Sequence, residues 1–577
     1  MPLWLKYDKR RRVLQLFWTV IPFKLIIMDE FTRKLVAAGF KGEIKDDDAT
    51  REFYSHDASL FEIKPQLVVM PKDSRDVQKL VRLVAKHKKT MPDLSLTARS
   101  GGTDMSGGAI NESIIIDFNK HFTNIKSIKP TEAHAQPGVF YRDFDTATRK
   151  QGVFMPSYPA SRDLCTIGGM VANNSGGEKS LQYGKVTEFV NELKVVFADG
   201  KEYTVKPLNR AGLVKKIAQK DYEGKLYKRL FDLLEKHYDK IKAAKPQVSK
   251  NSMGYNLWDV WDRETGIFDL TKLIVGSQGT LGLVTDIKYR LVPAPLHSGL
   301  LVCFLKDMDA LGEVINKGLE HKPASFECFD DKTLWLSIKL MPYFAKTLGI
   351  WGLIKLLISL IPDGFLMLRG IPKMVLMVEF TGQTVEEVED KIDKLRIDFR
   401  RYNMTMERNE TEAKSQKFWL MRRHAFQLLR KKVKDKHTAP FIDDLIVRPE
   451  YLPEFLPELR RVLKKHKLNG TTIQGHIGDG NFHLIPLMKI EEKKERAKLL
   501  PAMEEVDQLV LRYGGSLSGE HNDGLIRGPW LEEQFGREIV RLFRETKEIF
   551  DPDNIFNPHK KADADWDYSF SRIRQSF

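Results

Sequence analysis

The chain has 577 residues, more than a single hydrophobic core normally serves, so two or three domains are expected. With 42% hydrophobic, 10% aromatic and 30% charged residues, its composition is that of a globular protein and excludes a disordered one. The net charge of +15 is compatible with an anionic membrane surface or acidic substrates, but Lys and Arg are spread along the whole chain. Without a zinc finger, RNP-like aromatic sequence or helix-turn-helix, no nucleic-acid partner is expected.

Residues 1–44 begin with the basic cluster Lys9-Arg10-Arg11-Arg12 and the apolar run Val13 to Met28. That run carries Pro22 and Lys24, is shorter than the roughly 20 residues that span a bilayer, and meets no small-residue cleavage site before Asp29. Neither a signal peptide nor a membrane-spanning helix is expected. An interfacial anchor on the cytoplasmic face of a membrane is, with a buried N-terminal helix as the alternative.

From Gln66 the pattern alternates. Gln66 to Met70 reads as a strand, and Ser74 to Lys88 as a helix with Val77, Leu80, Val81 and Val84 on one face. Leu94 to Ala98 and Ile114 to Asp117 read as further strands. The dipeptide Asp199-Gly200 between Leu193–Phe197 and Glu202–Val205 predicts a hairpin.

Three glycine-rich segments interrupt this pattern. The first, Arg99-Ser100-Gly101-Gly102-Thr103-Asp104 through Gly108, exposes successive backbone N–H groups as an anion-binding nest, for which a diphosphate is the natural guest. The second follows Pro156 and runs from Thr166 through Gly168, Gly169, Asn173, Ser175 and Gly176 to Gly177, with Tyr183-Gly184 beyond it. The third spans Gly276 to Thr285. In order and content they resemble the FAD-binding domain of the vanillyl-alcohol oxidase and cresol methylhydroxylase flavoproteins, over roughly residues 45 to 295.

That resemblance implies that Ser100 to Asp104 and Thr166 to Gly177 surround the diphosphate and ribityl chain, with Val284 near the adenine or isoalloxazine edge. Relatives with covalent flavin carry histidine where this chain has Thr103, so a non-covalent FAD is expected. A Rossmann nicotinamide site would need a GxGxxG opening a helix with an acidic residue downstream, and none is found.

Pro293-Ala294-Pro295 closes this half, and residues 296–540 are expected to form a second domain, interrupted by an apolar insertion at 338–377. Lys346, Lys355, Pro362, Asp363 and Gly364 prevent that insertion from spanning a bilayer as one helix; dipping into a membrane and packing in a core are both open to it. Residues 541–577, with the turn Asp551 to Pro558, are expected to pack back on the first domain.

Two motifs of the second half carry chemistry. The first is His476-Ile-Gly-Asp479-Gly-Asn481-Phe-His483, whose histidines differ in parity, so that the Gly-Asp-Gly turn must bend the chain to bring both imidazoles together. The second is Gly519-Glu520-His521-Asn522-Asp523-Gly524-Leu525-Ile526-Arg527. Two histidines and a carboxylate suit zinc, manganese or ferrous iron. The three cysteines, Cys165, Cys303 and Cys328, form no CxxC grouping, so neither an iron–sulfur cluster nor a disulfide framework is expected, and a reducing compartment is.

Together these motifs resemble the D-2-hydroxy acid dehydrogenases related to D-lactate, glycolate and D-2-hydroxyglutarate dehydrogenases. The fold class implied is α+β: a two-subdomain PCMH-type FAD-binding domain plus an antiparallel α+β substrate-binding cap domain. By the resemblance, His476, His483 and Glu520 ligate the metal and His521 is the base. The metal assists deprotonation of the hydroxyl, and hydride passes from C2 to flavin N5. Asn481 is expected to hydrogen-bond the substrate or the metal's shell. Arg422 is expected to grip the substrate carboxylate, with Arg527 as the competing candidate.

One departure bears on the substrate. D-2-hydroxyglutarate dehydrogenases place a lysine just before an Asp-Leu pair, and here Asp443 precedes Asp444-Leu445. D-lactate or another short monocarboxylate is therefore favoured over D-2-hydroxyglutarate. The expected acceptor is a quinone, an electron-transfer flavoprotein or an iron–sulfur protein. A flavin-dependent ether-lipid-synthase-like enzyme on the same scaffold is the alternative, and Asn522-Asp523 speak against it; a non-catalytic membrane-binding protein is the remaining reading.

Overall fold

The computed structural model describes residues 28–334, 371–409, 415, 417–419, 422, 436–468 and 470–575. The basic start up to residue 27 and most of the apolar insertion, 338–370, lie outside the described residues, as do the membrane contacts expected of them. Among the described residues, no helix is long and apolar enough to cross a membrane.

The first half builds two sheets. Strands β1 (Glu43–Lys45), β2 (Leu67–Met70), β3 (Leu96–Arg99) and β4 (Ile114–Asp117) are ordered β1-β2-β4-β3, with β2, β4 and β3 parallel. Helix α1 (Ser74–His87) starts where the Asp73 side chain accepts from the N–H groups of Arg75 and Asp76. It buries Val77, Leu80, Val81 and Val84, one face at 3.6-residue spacing, against Leu67, Val69, Leu96 and Ile116.

The second sheet is antiparallel. Strands β5 (Ile125–Lys129), β6 (Glu132–Ala135), β7 (Val190–Val196), β8 (Glu202–Val205) and β9 (Leu283–Arg290) are ordered β5-β6-β9-β7-β8. The expected hairpin joins β7 to β8 through Asp199-Gly200. Between β6 and β7 the chain forms the short helix α2 (Ile167–Asn173), which carries the second glycine segment.

The second half forms a seven-stranded antiparallel sheet from β10 (His297–Leu305), β11 (Ser325–Asp330), β12 (Met374–Gly382), β13 (Met404–Asn409), β14 (Leu445–Ile446), β15 (Thr472–His476) and β16 (Asn481–Ile485). Its order, β13-β10-β12-β11-β15-β16-β14, puts β15 and β16 toward one edge and β11 beside them. Helix α3 (Val385–Phe399) lays Val388, Ile392, Leu395 and Phe399 on this sheet. The approach is close at Gly299, where a Cβ would stand 2.8 Å from Val388.

Contacts with the first half of the chain begin before residue 541. Asn522 already donates to the carbonyls of Asn173 (3.1 Å) and Gly276 (2.9 Å), and α4 (Leu531–Phe550), two helical stretches joined at the non-helical Gly536, passes through 540. The Asp551–Pro558 turn marks where α4 ends. Beyond it, Leu96 N–H donates to the Ile555 carbonyl, and Asn557 donates to the carbonyls of Gly108 and Gln278.

Candidate active site

A cleft partly open to solvent runs between the glycine-rich loops and the edge of the seven-stranded sheet. Its lining joins Arg99, Ser100, Gly102, Thr103, Asp104, Gly168, Gly169, Asn173, Ser175, Gly176 and Val284 with Arg422, Gln474, His483, Glu520 and His521.

The three glycine segments are tied together by side chains. Asp104 accepts from Ser106 N–H (3.1 Å) and Gly108 N–H (2.7 Å) and also from Asn173 Nδ2 (2.7 Å), while Asn173 Oδ1 accepts from Gln278 Nε2 (3.3 Å). Asp104 and Asn173 therefore set the shape of the loops. The loops also lie against one another: a Cβ on Gly169 would stand 2.4 Å from Ser100 Oγ. Glycines so closely approached leave no side chain in the way along the cleft, which fits an elongated diphosphate cofactor.

Other expected flavin contacts have further partners. Arg99 lines the cleft while its guanidinium donates to the carbonyls of His56 (2.8 Å) and Tyr54 (3.3 Å) across the Tyr54 ring. Thr166 caps α2, accepting from Gly169 N–H at 3.4 Å. Gly101 wedges against the Leu164 carbonyl, Pro156 is buried, and Tyr183 packs edge-on against Phe154 beside Gly184, all outside the lining of the cleft.

The histidine motif is a hairpin. Its register pairs Gln474 with His483 and His476 with Asn481, so residues of opposite parity on β15 and β16 share a face. Gly480, at φ +71°, makes the reversal, and a Cβ there would strike the Val447 carbonyl at 1.8 Å, so only glycine serves.

Both imidazoles converge on Glu520. Its Oε1 lies 3.1 Å from His476 Nε2 and 3.4 Å from His483 Nε2, and its Oε2 lies 3.3 Å from Lys250 Nζ. Each ring is held from behind: His476 Nδ1 is 2.6 Å from Glu327, and His483 Nδ1 is 3.2 Å from Asp443. The other Asp443 oxygen lies 2.7 Å from His521 Nδ1, which leaves His521 Nε2 facing the cleft, 3.8 Å from Glu520.

Electrostatics follow from this packing. Burial alone would push Glu520 up, but His476 and Lys250 hold it well below the usual carboxylate range. Burial opposes charge on His483, yet its hydrogen bonds to Asp443 and Glu520 prevail and push it up to about 9. His521 is raised in the same way, with Asp443 and Asp444 outweighing burial.

These contacts test the metal expectation. A carboxylate behind each imidazole fixes the Nδ1–H tautomer and turns the Nε2 lone pair forward, the usual support of a metal-ligating histidine. Where the two Nε2 atoms meet Glu520, either a proton or a divalent cation can join imidazole to carboxylate. His476, His483 and Glu520 thus fit a divalent ion. Asp444, His483, Glu520 and His521 also bring ligand atoms within 4.8 Å of one another. Asp444, however, already accepts from the N–H groups of Glu520 and His521, from Ser518 Oγ and from Asn481 Nδ2, so its lone pairs are spent.

Two expected substrate contacts are not brought to the cleft. The Asn481 amide donates to Asp444 and to the Leu445 carbonyl, both at 3.1 Å. Arg527 donates to the carbonyls of Asn522 (3.1 Å) and Asp443 (2.7 Å), so its guanidinium is spent on backbone. Arg422 does reach the cleft, buried, with Nη2 3.1 Å from Glu327 and Nη1 3.4 Å from Gln474 Oε1. Sequence reasoning missed Glu327, Lys250 and Asp443 as supports of this cluster; only Asp443, beside a noted departure, carried any local signal.

Residues 65–206 match the FAD binding domain and residues 294–561 the C-terminal domain of FAD linked oxidases. The D-2-hydroxyglutarate dehydrogenase of Pseudomonas putida is 29% identical over 540 residues, 92% of this chain and 51% of that protein. The chain spans about half the length of that and similar curated relatives. The glycolate oxidase subunit GlcD of Bacillus subtilis is 27% identical over 546 residues, 93% of this chain and 97% of that protein. The fold is that of p-cresol methylhydroxylase, with a TM-score of 0.64 at 15% identity over 93% of this chain and 96% of that one.

Proposed function

This chain belongs to the FAD-linked oxidases, and from that premise we propose that it oxidises a small D-2-hydroxy acid, D-lactate favoured, to the 2-oxo acid. The observation that carries the reading is the convergence of Arg422, His521 and the His476–His483–Glu520 cluster on the cleft of the glycine loops. When bound, FAD supplies the two-electron acceptor that no side chain provides, and a divalent zinc, manganese or iron ion supplies Lewis acidity toward the hydroxyl.

The side chains do the rest. Arg422 offers its guanidinium to the substrate carboxylate and sets which face of C2 meets the flavin. His521 Nε2 takes the hydroxyl proton while Asp443 holds Nδ1–H, fixing the tautomer that leaves Nε2 as acceptor. His476, His483 and Glu520 hold the ion. Asn522 and Asp523, where the ether-lipid-synthase reading needs further histidine, instead anchor the returning chain, Asp523 pairing with Lys561 at 2.9 Å.

Asp443 bears on the choice of acid. Where a lysine could meet a second carboxylate, this chain buries an anion already engaged by two histidines, which favours a monocarboxylate. A second reading, D-2-hydroxyglutarate, is supported by the 29% identity to an enzyme of that name. Anaerobic titration decides: D-lactate is expected to bleach the flavin at least about tenfold more efficiently than D-2-hydroxyglutarate, since each 1.4 kcal/mol of binding is a factor of ten. The reverse order would establish the second reading, and no bleaching by any D-2-hydroxy acid would remove both.

Cys165, Cys303 and Cys328 are buried and unpaired, which supports a separate acceptor: a quinone, an electron-transfer flavoprotein or an iron–sulfur protein. Lys9 to Arg12 would serve peripheral attachment to an anionic membrane surface if the acceptor is a quinone.

Thr103 lines the cleft where a linking histidine would stand, so FAD is held without a covalent bond. Acid precipitation of the yellow protein is expected to leave all flavin in the supernatant. Flavin retained in the washed pellet would disprove this.

A further inference from the structure

One wall of the cleft carries N–H donors with nothing to receive them. Gln474 Nε2, wholly buried and beside His483 in the hairpin register, has no hydrogen-bond partner. The same holds for Arg422 Nε, and Arg422 Nη2 stands near Glu327 without a directed hydrogen bond. The orientation of the Gln474 amide follows from its neighbour: Arg422 Nη1 is only a donor, so the atom 3.4 Å from it must be Oε1, and Nε2 is the free end.

Buried donors left unpaired are costly and rare, and a cluster of them lining a cleft marks where a ligand brings acceptors. The complementary group accepts several hydrogen bonds, donates none and carries a negative charge to match Arg422. A carboxylate meets all three conditions.

We propose that Gln474 is a binding residue for the substrate carboxylate, its Nε2 donating to one oxygen while Arg422 holds the other. This rests on the 2-hydroxy acid reading and extends it, because the carboxylate end is then fixed by the same hairpin that supplies His476 and His483. Distance from carboxylate to hydroxyl becomes a property of one rigid strand pair, which selects 2-hydroxy over 3-hydroxy acids.

The test uses the holoenzyme and its Gln474→Leu and Gln474→Glu variants, with flavin content as the check on folding. Steady-state oxidation of D-lactate is combined with calorimetric titration of pyruvate, a 2-oxo acid that needs no turnover. Loss of a hydrogen bond to a charged group is expected to raise the KM of Gln474→Leu and its Kd for pyruvate about 10- to 100-fold, with kcat within about threefold. Gln474→Glu is expected to lose more, because its carboxylate would pair with Arg422 and repel the ligand; a residue that merely packs would not give this order. Pyruvate binding within twofold of wild type in both variants overturns the proposal. If wild-type flavin is reduced by no 2-hydroxy acid, the functional reading falls, and the pyruvate constants still decide the carboxylate subsite on their own.

Discussion

Glu520→Ala protein is expected to keep its flavin and to lose at least about 1,000-fold in kcat, the scale seen when one member of a catalytic unit is removed. Glu520 is the one anion that both Nε2 atoms face, at 3.1 and 3.4 Å, so without it the two imidazoles no longer define a site for a doubly charged ion. His476→Ala is expected to match it. Flavin should stay, because the Asp104–Asn173–Gln278 hydrogen bonds that shape its loops do not pass through Glu520. Rapid-mixing measurement of flavin reduction by D-lactate is the readout, with protein exhaustively treated with chelator as a parallel sample. Reduction within tenfold of wild type in all three samples would show that no metal takes part.

Asp443→Asn is expected to cost about 100-fold or more in kcat, with a smaller change in KM, although Asp443 lines no part of the cleft. One carboxylate holds two rings, Oδ1 at 3.2 Å from His483 Nδ1 and Oδ2 at 2.7 Å from His521 Nδ1. An asparagine of the same shape can accept from only one of them. The other side-chain atom becomes an N–H donor, forcing that imidazole to present a lone pair at Nδ1 and a proton at Nε2, the wrong tautomer for a ligand or a base. The expected signature is a drop in kcat with pyruvate still binding, since Arg422 and Gln474 are untouched. A variant with wild-type kcat would mean that Asp443 does no more than fill space.

Much of the architecture was legible along the chain. The 3.6-residue spacing of Val77, Leu80, Val81 and Val84 marks a helix buried on one face, and Asp199-Gly200 marks a hairpin, because each depends on nearby residues alone. The same holds for the glycine loops and for the His476–His483 reversal, where opposite parity and a Gly-Asp-Gly turn leave a hairpin as the way to place both rings on one face.

What sits behind those rings was not legible. Glu327 lies 149 residues from His476, and Asp443 lies 78 from His521. Nothing local distinguishes Glu327, inside the strand Ser325–Asp330, from any other strand glutamate, until β11 pairs with β15 and faces it toward His476. Nor do the motifs reveal that the Asn481 amide N–H groups and the Arg527 and Arg99 guanidiniums donate to Asp444 and to backbone carbonyls. The contact of Asn522 with Gly276, across 246 residues, is equally invisible to local pattern.

The sequence by itself determined the local elements and the run of glycines, since steric and periodic constraints act between neighbours in the chain, while the metal-ligand expectation came from a family resemblance. Only the tertiary structure decided which of the expected groups remain free to act. A buried polar atom is satisfied by whatever the fold brings within about 3 Å, and that depends on strand order and on the returning C-terminal segment, which no local pattern records.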